Sequence, residues 1–169
     1  GTVVAVGSNV LSRKVGDRVA AFHQQGSHAE RWAVPVEHTW LIPDGVEMPE
    51  AAVVPISFAT AHHCLFTRGM LRHGETVLIQ AAAGGVGLAA VQLASQAGAT
   101  VIAVVSGTQR RCRLLELGAD HVVDRAEHNI VDRVRQFTQG TGVDLVIDPV
   151  GTTLSASLSA LAPEGRLVF

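Results

Sequence analysis

Hydrophobic positions fall in short runs along the whole chain, but their spacing and punctuation change near residue 48. Before it come three apolar runs, Val3–Val6, Arg18–Phe22 and Ala29–Val34, separated by Gly7-Ser8-Asn9, Gly16-Asp17 and Gln24–Ser27, which predict a small antiparallel β unit. Pro43-Asp44-Gly45 reads as a turn, because proline presets φ and glycine accepts the positive φ that follows. From Met48 the spacing becomes helical, with Pro49 and Glu50 suited to a first turn, a break at Pro55 and a second helix near Ala59–Arg68. Strands then alternate with helices. The strands are Thr76–Ala81, Thr100–Val105, His121–Val123, Val143–Ile147 and Arg166–Phe169; the helices end at Gly98, cover Thr108–Leu117 before Gly118, and span Asn129–Phe137 and Thr153–Leu161. This alternation predicts an α/β fold with a doubly wound parallel sheet over residues 48–169, preceded by the β unit of residues 1–47.

One segment carries chemistry. Thr76–Ala94 reads TVLIQAAAGGVGLAAVQLA, an apolar strand entering a glycine turn and then a mostly apolar helix. Ala82, Gly84 and Gly87 occupy the three glycine places of GxGxxG, so the backbone N–H groups from Ala83 through Gly84, Gly85, Val86 and Gly87 can meet a dinucleotide pyrophosphate at the positive end of the helix. The next strand follows at once, giving the strand-turn-helix-strand unit that the motif requires.

The wording VLIQAAAGGVGLAAVQLA resembles the zinc-independent quinone oxidoreductases of the medium-chain dehydrogenase/reductase superfamily. GTVVAVGSNV, VGDRVAAF, LIPDGV, LELGADHVVD and GVDLVIDPVG agree, in that family's order, so the resemblance runs along nearly the whole chain. It implies part of a GroES-like catalytic domain over 1–47 and an NADP-binding Rossmann domain over 48–169, with strand order 3-2-1-4-5-6 and the sixth strand unaccounted for. Gly1 lies within what reads as a strand, and the chain is expected to be a piece of a longer protein. The activity implied is NADPH-dependent hydride transfer to a quinone or an α,β-unsaturated carbonyl without zinc. Two alternatives remain: an enoyl reductase domain of a polyketide or fatty acid synthase, where AAAGGVG recurs, and a non-catalytic nucleotide-binding protein similar to lens crystallins.

The cofactor's identity turns on the end of the strand Thr100–Val105. An acid about twenty residues past the glycine turn would bond the ribose 2′-hydroxyl of NAD. No Asp or Glu occurs between Gly87 and Glu116; the chain there reads Ser106-Gly107-Thr108-Gln109-Arg110-Arg111, which favours a 2′-phosphate and NADPH. Arg110 stands where the NADPH-dependent relatives carry a basic residue, and Ser106 is the second choice. Arg125 falls where many carry a tyrosine beside the adenine, and it either stacks on the adenine or reaches the phosphate. Thr60 and the backbone at Val150 are implied to place the nicotinamide.

Zinc-dependent relatives carry a cysteine ligand four residues before the threonine matching Thr60; here Ile56 stands there, and 21–34 lack the clustered cysteines of a structural zinc lobe. His62, His63 and Cys64 point about 100° apart on a helix and do not converge on one ion. No metal site is expected, and no catalytic residue is assigned. Asp148 reads as a strand-end aspartate satisfying nearby N–H groups.

With 17% charged residues, a net charge of -2 and Lys14 as its single lysine, the chain offers no electrostatic case for nucleic acid or an anionic membrane. Two cysteines without CxxC spacing fit a cytoplasmic setting, and the family resemblance suggests a homodimer acting on small molecules.

Overall fold

The computed structural model describes residues 1–169, the side chain of Thr108 excepted. Two compact units divide the chain, Gly1–Ile56 and Ser57–Phe169.

In the first unit, β1 (Val19–Ala21) pairs antiparallel with β2 (Thr39–Leu41) in the register Val19↔Leu41 to Ala21↔Thr39. The arrangement differs from the expected one at two runs. Val3–Val6 forms no strand, because the pairing beside it shrinks to one bridge, Thr2↔Arg18, and Gly16 N–H folds back onto the Val3 carbonyl at 2.9 Å. Ala29–Val34 is irregular, held instead by a loop closure in which Trp32 Nε1 donates to the Gln25 carbonyl at 2.8 Å. The strand that takes its place, Thr39–Leu41, is anchored by Arg13, whose guanidinium donates to Thr39 Oγ1 and to the Thr39 carbonyl. Spacing alone gave no hint of that long-range bond.

Helix α1 (Met48–His62) runs through Pro55 without a break, and His63–Arg68 continues it as a wider π turn. Proline removes one N–H donor from the helical ladder. Here that cost does not end the helix, which carries Pro55 in its interior.

The second unit is a five-stranded sheet in the order β5-β4-β3-β6-β7, with every pair parallel. Its strands are β3 (Thr76–Ile79), β4 (Thr100–Val105), β5 (His121–Asp124), β6 (Val143–Ile147) and β7 (Leu161–Val168). The connecting helices are α2 (Gly85–Gln96), α3 (Arg111–Glu116), α4 (Ile130–Phe137) and α5 (Leu154–Ser159). Strand order 3-2-1-4-5 is thus present, as the alternation of elements predicts. Strand β7 begins at Leu161, earlier than the expected Arg166, because Leu161 pairs with Val143 before a register shift brings Arg166 opposite Leu145.

Period-two alternation sorts the strands' side chains onto two faces. Val77, Ile79, Val101 and Ala103 enter one core with Ala89, Ala90, Val91 and Ala94 of α2; Leu78, Ile102 and Val104 enter the other with Ile130 and Val134 of α4. A parallel sheet buried on both faces reads as continuous apolar runs, which is how β3 and β4 read. Burying each Val, Leu or Ile contributes about 1.5 to 3 kcal/mol, so these strand ends are a firm platform for the loops above them. Asn129 caps α4, its side chain accepting from Val131 and Asp132 N–H.

Candidate functional site

The carboxyl ends of β3, β4 and β6 meet where the strand order reverses, the position at which open α/β sheets bind ligands. The turn from β3 into α2 is made by Ala81, an alanine with φ of 49°, whose carbonyl accepts the Gly84 N–H at 2.9 Å. A left-handed alanine costs about 1 kcal/mol or more, and no sequence pattern announces one. Gly87 lies against this turn so closely that a Cβ would meet the Ala81 carbonyl oxygen at 2.5 Å and Ala82 Cα at 2.6 Å. Gly84 differs: it is extended and exposed, and a Cβ there would meet only the Ala81 oxygen at 3.4 Å. No side chain caps α2, so its first N–H groups, on Gly85, Val86 and Gly87, are open to an anion.

A groove of about 710 Å³ extends from this turn, lined by Ala81, Ala83, Gly84, Val105, Ser106, Gly107, Gln109 and Arg110. Among the described residues no carboxylate lies on its wall. Four of the expected residues, Ala83, Gly84, Ser106 and Arg110, therefore share one surface. Arg110 donates to the Ala83 carbonyl at 2.7 Å, tying its exposed guanidinium to the glycine turn. A smaller adjoining pocket of about 70 Å³ brings together Ser106, Arg125 and Val150 with Gln80 and Thr153. There Arg125 Nε donates to Ser106 Oγ at 2.5 Å. Thr60 lies on α1 with its side chain exposed, outside both spaces.

Three further side chains stand beside the site without a motif that marks them in the sequence. Ser57 Oγ stands 3.0 Å from where a Cβ on Gly85 would lie, one helical turn before Thr60. Gln109 lines the groove. Asp124, at the end of β5, accepts Gly107 N–H at 3.0 Å and Ala126 N–H at 2.9 Å through the same oxygen, and these bonds hold its carboxyl below the usual aspartate range. Only its place after an apolar run could have flagged it, since its partners are fixed by sheet register.

Asp148, just past β6, is fully buried. Burial pushes its carboxyl up, but bonds from Ser157 Oγ, Gly151 N–H, Thr153 Oγ1 and Val150 N–H outweigh this and hold it below the ordinary value. Ser157 in turn accepts from Gln80 Nε2 at 3.1 Å. The aspartate thus fixes the turn carrying Val150.

Among the described residues no three His, Cys, Asp or Glu side chains converge as a metal site would require. His63 Nε2 accepts from Arg68, His62 lies against Phe66, and the His23 and His38 Nδ1 atoms are 3.2 Å apart without a third donor. This donor set does not fit a zinc ion.

Residues 85–169 match the family described as zinc-binding dehydrogenase. Quinone oxidoreductase-like protein 2 of Rattus norvegicus is 35% identical over 99% of this chain and 49% of its own length. Reducing polyketide synthase PKS1 of Cochliobolus heterostrophus is 37% identical over 99% of the chain and 7% of its own length. A mycobacterial protein solved in complex with NADPH superposes with a TM-score of 0.91 at 40% identity, over 100% of this chain and 54% of that one. The chain spans about half or less of the length of the curated relatives it matches.

Proposed function

Because the chain belongs to the zinc-binding dehydrogenase family, as a quinone oxidoreductase-like member of the medium-chain dehydrogenase/reductase superfamily, we propose that its natural-length protein reduces quinones or α,β-unsaturated carbonyls with NADPH and without zinc. The observation carrying the NADPH reading is the groove that joins the uncapped start of α2 to Ser106 and Arg110 with no carboxylate on its wall. A wall of that kind suits a 2′-phosphate, for which a carboxylate would be repulsive and a guanidinium is a bidentate donor.

In this reading the N–H groups of Ala83, Gly85, Val86 and Gly87 face the pyrophosphate, while Gly84, its N–H kept on the Ala81 carbonyl, lets the phosphate approach because it has no side chain. Arg110 exchanges its bond to the Ala83 carbonyl for the 2′-phosphate. Ser106, already accepting from Arg125, keeps its hydroxyl proton free to donate to the same group. Arg125, held on Ser106 Oγ, reaches the same phosphate, while Thr60 and the turn at Val150 bound the nicotinamide side. The reduced nicotinamide supplies the hydride; the protein binds, orients and keeps the acceptor's approach dry. A conjugated acceptor needs no Lewis acid, because its developing charge is delocalised, and this suits a donor set that does not fit zinc.

The reading as an enoyl reductase domain draws on the polyketide synthase, of which the match takes up 7%. It uses the same site and the same conjugate reduction. The test of the cofactor reading is titration of the natural-length protein with NADPH and NADH, in wild type and Arg110→Ala. Losing one charge-assisted bond should weaken NADPH by about ten- to a hundred-fold and leave NADH nearly unchanged. Equal affinities for the two cofactors in wild type would end this reading.

A further inference from the structure

We infer that Asp124 is a positioning residue for cofactor selectivity: one buried carboxylate oxygen pins both loops that present Ser106 and Arg125. The inference rests on the NADPH reading above and adds the residue that holds its phosphate-binding groups in place.

Two loops that are distant in sequence meet at this carboxylate. In the parallel register Val105 of β4 lies opposite Asp124 of β5, so both strands end at the same level. Just past these ends, Asp124 Oδ1 accepts Gly107 N–H at 3.0 Å from one loop and Ala126 N–H at 2.9 Å from the other. Each bonded residue adjoins a phosphate-side group: Ser106 precedes Gly107, and Arg125 precedes Ala126. A third link closes the arrangement, because Arg125 N–H donates to the Val105 carbonyl at 2.9 Å and Arg125 Nε to Ser106 Oγ at 2.5 Å.

The geometry explains why a carboxylate stands beside a site that favours an anion. Gly107 adopts φ of 91°, which glycine reaches without steric cost, and this turn aims its N–H at the Asp124 oxygen. Asp124 is 6% exposed and spends its oxygen on backbone donors; it lines neither the large groove nor the small pocket. Its two bonds hold the carboxyl below the usual aspartate range. With the acceptor removed, the Gly107 and Ala126 N–H groups lose their partner, and Ser106 and Arg125 lose their fixed spacing. The open N–H groups at the start of α2 lie outside both loops that Asp124 holds. The loss therefore falls on the 2′-phosphate and spares what NADPH and NADH share.

The experiment measures dissociation constants for NADPH and NADH with the natural-length protein, in wild type, Asp124→Ala and Asp124→Asn, alongside thermal unfolding. Asp124→Asn keeps an oxygen able to accept both N–H bonds, so its NADPH preference should stay within about threefold of wild type. Asp124→Ala should lose about tenfold or more of that preference through NADPH alone. If Asp124→Ala does not fold, Asp124→Ser is read in its place, since its hydroxyl is too short to reach both donors. Equal weakening of both cofactors, or a preference retained by Asp124→Ala, would overturn the inference while leaving the NADPH reading intact. A preference that rises in both Asp124→Ala and Asp124→Asn would overturn it too, by showing that the carboxylate acts through repulsion. A wild type without preference would instead defeat the cofactor reading itself.

Discussion

Gly87→Ala adds one methyl group to a helix, a change that elsewhere in a helix would stabilise by about 1 kcal/mol through propensity. Here the new Cβ would stand 2.5 Å from the Ala81 carbonyl oxygen, 2.6 Å from Ala82 Cα and 2.8 Å from the Ala82 carbonyl carbon. All three are backbone atoms of the turn leading into α2, so no side chain can rotate away. To restore ordinary contact the shortest separation must grow to about 3.4 Å, lifting α2 from the strand end against a core that includes Ala89, Ala90 and Ala94. Overpacking of this kind costs about 1 to 3 kcal/mol or more, which exceeds the propensity gain. At a urea slope of about 1 to 3 kcal/mol per molar, a net loss of roughly 2 kcal/mol moves the unfolding midpoint by about 1 M. Gly84→Ala is the control, since its Cβ meets nothing closer than 3.4 Å and its backbone is ordinary for any residue. Its stability should stay within about 1 kcal/mol of wild type, the cost of alanine at an N-cap. Gly84→Val should likewise fold, yet weaken NADPH by about ten-fold or more where the branched side chain covers the approach to the α2 N–H groups. Equal urea midpoints for Gly87→Ala and Gly84→Ala would refute the packing reasoning; unchanged NADPH affinity in Gly84→Val would show that the turn binds no phosphate.

Burial opposes the charge on Glu75, but the Arg166 guanidinium, bonded at 2.5 and 3.0 Å, and the Arg72 N–H outweigh it and hold its carboxyl below the usual glutamate range. Because the folded value is depressed, the stability it contributes is full above the ordinary glutamate pKa and is lost as pH falls through the lowered one. Glu75→Gln should flatten that acid limb in urea titrations at stepped pH, and an unchanged limb would remove Glu75 from the account. Metal analysis of the purified natural-length protein should find well below one zinc per chain; stoichiometric zinc whose chelation abolishes turnover would contradict the zinc-free reading.

The sheet was legible because its strands are buried on both faces and separated by glycine-punctuated helices, a pattern local enough to read residue by residue. Gly98 and Gly118, both with positive φ, mark the ends of α2 and α3 as a reader of helix stops would place them. The β unit was less legible because its strands are three residues long and its pairing is long-range. Arg13 reaching Thr39 decides which segment joins Val19–Ala21, and nothing near either residue says so. At the site, the glycine turn and the basic residues past β4 were visible as motif and composition. Asp124 was not, because its role is created by register: only when β4 and β5 lie side by side does a carboxylate after one strand meet an N–H after the other. Ala81 was invisible for another reason, since an alanine in the left-handed region contradicts local preference and is held there by the close packing of α2.

The central claim is direct hydride transfer from NADPH to a conjugated carbon, and isotope transfer tests it most directly. The natural-length protein is given NADPH deuterated at the transferable position of its nicotinamide, together with an enone, and the product is read by mass spectrometry and NMR. The account predicts one deuterium on the β-carbon of the saturated product, with NADH much less effective at equal concentration. Turnover confined to simple alcohols, or consumption of NADPH with no deuterium on the β-carbon, would contradict it.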